Sequence, residues 1–417
     1  MIRILHTADW HLGQTFFGYD RSAEHEAFLD WLAGEIRLRQ IDALVVAGDV
    51  FDVSNPSAAA QSMYYRFVHR VTAENPRLQL VIVAGNHDSA ARLEAPLPLL
   101  QAMRTEVRGI VRKLPDGEID YDHLCLELKN REGQPELLCM AVPFLRQGDY
   151  PLVITDGNPY AEGVSELYAR LLRRMWQRRQ PGQSILAVGH LQAIGSEIAP
   201  IDHSERTVIG GLECVPPDAF DVRIAYTALG HIHKAQRVSG RDNVRYAGSP
   251  LPMSFAEKHY HHGVVMVTFA EGKAVGIQRL EAPRLVPMVS VPERGSASPA
   301  EALDTLSRLP QPEGEAPYLE VRVTLEQPEP TFRHDVEEAL KEKGYRLARV
   351  VSSYRAASGG DDGIERRWTA GLREMRPLQI ARAAFEKTYH TEMPTELCEL
   401  FEQAHRAAIR RQEEEKA

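Results

Sequence analysis

Hydrophobic positions in the first ninety residues alternate between two periods. Short apolar runs at 2–8, 43–47 and 80–84 have the length and β-branched content of buried strands. Between them, residues 24–39 carry Phe28, Trp31, Leu32 and Ile36 at helical spacing. The stretch opened by Pro56-Ser57 carries Met63, Tyr64, Phe67, Val68 and Val71 on one face. Strand, helix, strand, helix, strand is the rhythm of a sheet with covering helices, so the pattern predicts an α/β fold. Further strands are expected at 124–128, 137–142, 184–188, 224–229 and 263–269, with an Arg-rich helix at 164–179.

The character changes near Ala282-Pro283. Residues 285–355 read as strand, helix (299–308), strand (318–325), helix (332–342) and strand (347–354), with Pro-rich joints. Ser358-Gly359-Gly360-Asp361-Asp362-Gly363 has the composition of a flexible linker. Beyond it, 377–389 (Ile380, Ala384, Phe385) and 395–411 (Leu397, Leu400, Phe401, Ala404, Ala408) each carry an apolar stripe. Two short helices bury too little to stand alone, so they dock on their own domains or on another protein. The expected organisation is 1–282, a small α/β domain at 283–357, a linker at 358–372 and a helical pair at 373–417.

Bulk composition narrows the function. At 417 residues and a formal charge of −9, the chain does not bind nucleic acid by overall positive charge. Any DNA contact must come through bound cations, local basic patches or a partner. Arg170, Arg173, Arg174, Arg178 and Arg179, with Arg346, Arg349 and Arg355, are the candidate patches, although a solvated helix face is the commoner meaning of such a run. Cys125, Cys139, Cys214 and Cys398 form no short pair, which fits a reducing compartment and no structural zinc. The start lacks a signal-type apolar region and no run spans a bilayer, so a cytoplasmic protein without a membrane segment is expected.

The residues that follow the strands add chemistry. Each apolar run ends at polar groups, often behind a Gly: Asp9 and His11; Gly48-Asp49; Gly85-Asn86-His87-Asp88; Gly189-His190; Gly230-His231 and His233. One such residue is usually a loop residue with its hydrogen bonds satisfied, but five sites in this arrangement point to a metal centre. Carboxylate, imidazole and amide without thiolate suit octahedral ions such as manganese or iron. The ligands are too many for one ion. Asp49 is the candidate bridge, with Asp9, His11 and His233 on one ion and Asn86, His190 and His231 on the other. Two ions about 3.5–4 Å apart lower the pKa of a bridging water and stabilise charge developing on a phosphoryl group. His87 is then placed to touch the phosphate or protonate the departing oxygen, with Asp88 fixing its tautomer. The alternative places for His87 are an eighth ligand or a supporting group.

These motifs resemble those of the calcineurin-like metallophosphoesterases over roughly the first 270 residues. Residues 6–13 (HTADWHLG), 48–52 (GDVFD) followed by Pro56-Ser57, and 247–250 (AGSP) resemble the bacterial nuclease-subunit branch of SbcCD-type complexes, and the domain order matches over the whole chain. The resemblance implies a metallophosphoesterase β-sandwich flanked by helices, a capping domain and a C-terminal helical segment. It also implies two Mn2+ (Mg2+ being the alternative), 3′–5′ exonuclease action on duplex DNA, and endonuclease action on single strands and hairpins. The implied partners are DNA and an SbcC-type coiled-coil ATPase, in a heterotetramer built on a homodimer. The absence of G-x-x-x-x-G-K-[ST] here leaves ATP to that partner. Asp52 stands where some members place a His. Competing expectations are a phosphatase, a cyclic-nucleotide phosphodiesterase or a non-catalytic scaffold. Protein phosphatases of this superfamily would show Arg-Gly near Phe51-Asp52-Val53-Ser54, a cyclic-nucleotide enzyme needs nothing after Pro283, and a scaffold would lack ligands.

Overall fold

A computed structural model describes residues 1–197, 214–327 and 329–354, with scattered positions between 378 and 401. The expected linker at 358–372, Arg355 and most of the two C-terminal amphipathic segments lie outside the described residues.

Two six-stranded sheets form the first unit. The first contains β1 (Ile2–Thr7), β2 (Ala43–Ala47), β3 (Gln79–Val83) and β4 (Thr105–Arg108). The second contains β5 (Cys125–Lys129), β6 (Pro135–Ala141), β7 (Ser184–His190), β8 (Tyr226–Gly230), β9 (Gln236–Val238) and β10 (Arg241–Tyr246). β11 (Gly263–Ala270) and β12 (Lys273–Glu281) then return to the first sheet, giving the orders β12-β11-β1-β2-β3-β4 and β9-β10-β8-β7-β6-β5. The neighbours β1 to β4 run parallel, as do β6, β7, β8 and β10.

The continuous apolar runs follow from burial on both faces. Ile4, Val45 and Val81 turn inward to meet Leu186, Val188 and Tyr226 of the opposite sheet. Their neighbours Leu5, Leu44, Val46, Leu80 and Ile82 turn outward, into a core shared with α1 (Ser22–Leu38) and α2 (Ala58–Glu74). Phe28, Leu29, Leu32 and Ile36 of α1 are each at most 4% exposed. Each contributes roughly 1.5–3 kcal/mol by leaving water. The long helix Pro159–Arg178 covers the second sheet with Val164, Leu167, Leu171 and Met175. Ser57 and Asn158 cap the N-termini of the last two helices by accepting backbone N–H bonds. No described helix is long and apolar enough to cross a membrane.

Among the described residues the expected elements fall within a few residues of their places, and the strands β4, β9, β10 and β12 had not been expected. β12 is a largely exposed edge strand with no apolar run, and its antiparallel partner β11 defines it. The later strands and helices are Met288–Val291, Pro299–Ser307, Tyr318–Leu325, Phe332–Leu340 and Arg346–Tyr354. Compactness divides the chain into Met1–Ser290 with Pro310–Glu320 and Lys343–Arg349, and a second unit of Val291–Leu309, Val321–Glu342 and the chain from Val350. The first unit therefore recruits two segments from beyond the boundary expected at 283. Tyr318 and Ala348 of these segments pack with Phe16 and Phe255, and the Tyr318 hydroxyl donates to Glu24 at 2.8 Å.

Candidate metal centre

Parallel strands in both sheets aim their carboxyl ends at one place, as open α/β sheets do. β1 delivers Asp9 and His11, β2 Asp49, and β3 Asn86 and His87, while β7 ends on His190 and β8 releases His231 and His233. Register holds these ends level, with Thr7 beside Val46, Ala47 beside Val83 and Gly230 beside His190.

All seven expected ligands and His87 come together. Donor atoms of Asp9, His11 and His233 lie within 4.8 Å of one another, as do those of Asp9, Asp49 and His190 and those of His11, Asp52 and His87. Asp49 Oδ2 lies between the two sides, 3.3 Å from His190 Nε2 and 3.8 Å from His11 Nε2. Asn86 Oδ1 is 2.9 Å from His190 Nε2 and 3.0 Å from His231 Nδ1.

Hydrogen bonds around the site fix its tautomers. His190 Nδ1 donates to the Ala47 carbonyl at 2.8 Å, so Nε2 turns its lone pair toward Asn86 Oδ1 and Asp49 Oδ2. Electron-rich atoms converging in this way need a cation between them. The same need appears in the unpaired groups: Asp9 Oδ2 and both ring nitrogens of His11 are buried without a hydrogen-bond partner. Each such group costs about 1–3 kcal/mol unless a ligand satisfies it. The donor set therefore fits divalent cations, and the four cysteines, none of them in a disulfide, take no part.

Electrostatics agree with that reading. Burial alone would lower the His190 imidazole, but with no cation beside them the Asp49 and Asp9 carboxylates outweigh it and raise the pKa to about 9, so that a proton on Nε2 supplies the positive charge that a cation bound to its lone pair would bring. Burial would raise Asp49, yet the surrounding histidines, His190 foremost, hold it well below the usual carboxylate range. Burial raises Asp9 and lowers His231 to about 3. This pocket holds negative charge only with positive charge beside it.

Backbone strain is concentrated here as well. Asp9, His11, Asp49 and His231 have φ of 53°, 46°, 50° and 101°, a region non-glycine residues seldom occupy. Such strain persists where the surrounding structure over-determines it, and it gathers at functional sites. Glycine at position 230 answers a different need. A Cβ there would sit 1.9 Å from the Ala47 carbonyl oxygen, so no side chain fits where β8 crosses β2.

One expected role is corrected. Asp88 does not orient His87. Its buried carboxylate accepts from Gly85 N at 2.9 Å, Val50 N at 3.2 Å and Phe51 N at 3.0 Å, and so ties the β2 and β3 loops together. Burial and nearby Asp49 raise its pKa to about 6. The tautomer of His87 is set instead by the Asp52 carbonyl, which accepts from Nδ1 at 2.7 Å. Three residues take supporting roles that had not been expected of them. Glu257 lies 3.1 Å from His233 Nδ1 and accepts from Met253 N at 2.8 Å. Buried His6 is held by the Tyr226 hydroxyl at 3.0 Å and the Leu229 carbonyl at 3.2 Å. Asp52 Oδ1 also lies 3.3 Å from His11 Nδ1, close to it but without hydrogen-bond geometry. The Arg-rich helix is partly neutralised: Arg170 and Arg173 pair with Glu166, and Arg174 and Arg178 with Asp122.

Fold and site together define a calcineurin-like phosphoesterase, and the family model of that description matches residues 2–235. A second model, described as the type 5 capsule protein repressor C-terminal domain, matches residues 284–389. Within the phosphoesterases the chain belongs to the SbcD family, the nuclease subunits of SbcCD. It is 39% identical over 354 residues to the SbcCD nuclease subunit SbcD of Rhodobacter capsulatus, covering 83% of this chain and 86% of that one. It is 35% identical to SbcD from Escherichia coli K12, over 82% and 81% of the two chains. A solved dimetal phosphatase from Danio rerio superposes with a TM-score of 0.37 at 12% identity, over 68% of this chain and 99% of that one. Family and donor cluster together make this a divalent-metal phosphoesterase site.

Proposed function

We propose that the chain is the nuclease subunit of an SbcCD-type complex, cleaving phosphodiester bonds of DNA ends, hairpins and single strands with two Mn2+ ions. The observation that carries this is the convergence of Asp9, His11, Asp49, Asn86, His190, His231 and His233 with unsatisfied donors, in a chain whose relatives are named as nuclease subunits. Asp9, His11 and His233 would hold one ion and Asn86, His190 and His231 the other, with Asp49 between. Bound there, divalent ions supply a nucleophilic water at neutral pH and neutralise charge on the phosphoryl oxygens.

The protein's own residues do the rest. His87 keeps its Nδ1 proton on the Asp52 carbonyl, an acceptor only, so Nε2 is the nitrogen that receives a proton and delivers it to the departing oxygen. Glu257 orients His233, and Asp88 fixes the loop that carries Asn86 and His87. The C-terminal amphipathic segments dock the coiled-coil ATPase SbcC in the cytoplasm, within a heterotetramer built on a homodimer.

The test is manganese-dependent digestion of labelled hairpin DNA beside a generic phosphomonoester. Preference for the monoester overturns the nuclease reading in favour of a phosphatase. His87→Asn should abolish cleavage while two metals per chain remain bound; loss of metal would make His87 a ligand. Removing Arg373–Ala417 should end co-purification with SbcC and leave weak nuclease activity.

A further inference from the structure

We infer that Phe17 is a stacking platform for unpaired DNA bases beside the metal centre. The inference rests on the nuclease reading above and adds a substrate contact to it.

Just after His11 the chain makes a tight hairpin. Thr15–Phe16 pairs antiparallel with Tyr19–Asp20, Phe16 opposite Tyr19, and only Phe17 and Gly18 lie between. Both turn residues have left-handed backbone, φ 50° at Phe17 and 87° at Gly18. A two-residue turn of this kind requires positive φ at both positions and is normally filled by Asn, Asp or Gly. A bulky aromatic is the wrong residue for that backbone.

Folding does not explain the choice. Phe16 is 2% exposed and packs with Phe255 and Tyr318, whereas Phe17 stays 43% exposed. A residue that strains its own turn and leaves its ring wet points to a function there. The ring is also held in place. Phe16 meets it edge-on at 4.9 Å, Phe255 lies at 6.0 Å, and the Arg349 guanidinium sits over it at 5.4 Å. Glu320 in turn fixes Arg349 at 2.6 Å. A fixed aromatic ring with open surface is how proteins bind single strands without reading sequence. In a chain of net charge −9, stacking supplies affinity that bulk charge cannot.

The hairpin is coupled to the metal centre. Gln14 N donates to the His11 carbonyl at 3.0 Å, and its side chain reaches Met253 at 2.9 Å. Phe255 lies two residues before Glu257, which holds His233. Phe17 lies six positions after His11, a span of at most about 22 Å. At ~3.4 Å per nucleotide along a strand, a base on Phe17 is within about six steps of the reacting phosphate. Single strands and hairpin loops offer such bases, and a blunt duplex does not.

The test is binding of a labelled single-stranded oligonucleotide of about 20 nucleotides, read by fluorescence anisotropy in EDTA so that no cleavage occurs. Phe17→Leu keeps an apolar side chain of similar bulk and removes the π face, while Phe17→Tyr keeps the face. The expected result is a roughly 5- to 100-fold weaker Kd for the Leu variant and a Tyr variant close to the wild type. A Leu variant within twofold of the wild type overturns the inference. So does a Tyr variant as weak as the Leu variant, or an equal loss on a blunt duplex. Failure of the wild-type protein to cleave DNA with Mn2+ would instead sink the nuclease reading, and the binding comparison would still read Phe17.

Discussion

Replacing Gly85 by Ala tests whether the centre depends on sub-ångström placement. A Cβ at position 85 would lie 2.1 Å from Asp49 Oδ1, 2.4 Å from Asp49 N and 2.6 Å from Asp49 Cγ. Observed Cβ contacts do not fall below 3.0 Å, so the carboxylate or the β3 loop must retreat by about 0.9 Å. Neither is free to move. Asp49 Oδ1 accepts from His87 N at 2.8 Å, and Gly85 N donates to Asp88 at 2.9 Å. Displacement by about 1 Å at a reacting centre costs about 100-fold in rate, and overpacking a tight site costs roughly 1–3 kcal/mol of stability. Gly85→Ala is therefore expected to reduce Mn2+-dependent hydrolysis of bis(p-nitrophenyl) phosphate about 100-fold while the chain still folds. Gly34 in α1 is the control, because nothing lies within 4 Å of its would-be Cβ. Gly34→Ala should raise stability by about 0.5–1 kcal/mol and leave turnover alone. Turnover of Gly85→Ala within twofold of the wild type, at equal metal content, would refute the claim that Asp49 must stand where it does.

Other perturbations separate support from chemistry. Glu257→Ala removes the carboxylate beside His233 Nδ1 and strands Met253 N, and should weaken metal binding about 10- to 100-fold in a calorimetric titration, with Glu257→Gln milder. Asp88→Asn presents an amide to three backbone donors and should cost roughly 1–3 kcal/mol in thermal unfolding; unchanged stability would count against its loop-tying role. Burial holds His6 neutral, its pKa pushed from 6.5 down to about 3. A depressed folded pKa means that its contribution is complete above about pH 6.5 and is lost as pH falls toward 3. Chemical denaturation of His6→Gln should show a pH slope shallower by up to ~1.4 kcal/mol per unit in that window.

How much of this was readable beforehand depends on where each residue's partners lie. Asp9, His11, Asp49, Asn86, His190, His231 and His233 were legible because each follows an apolar strand, and strands buried on both faces leave continuous runs that stop abruptly at the site. Glu257 was not, because it sits on a single 3-10 turn 24 residues after His233 and only the fold brings the two together. Asp88 was misread for the same reason. Its neighbour in sequence is His87, but its partners are the amides of Gly85, Val50 and Phe51, and backbone donors carry no side-chain signature.

Conformation was the least visible layer. Four of the seven ligand-type residues take left-handed φ, and Asp9, His11, Asp49 and His231 as residue types do not announce it. Yet that twist carries two alternate side chains, Asp9 and His11, past the strand end to the same centre: Asp9 N is tied to the Gly48 carbonyl at 3.0 Å and His11 N to the Asp49 carbonyl at 3.1 Å. A regular strand would send residues i and i+2 to one face of the sheet, into the core, and never beyond its end. The strain at these residues is thus the local cost of moving charged groups out of two buried sheets and into one cluster, where the Asp9 and His11 atoms without hydrogen-bond partners suit a cation.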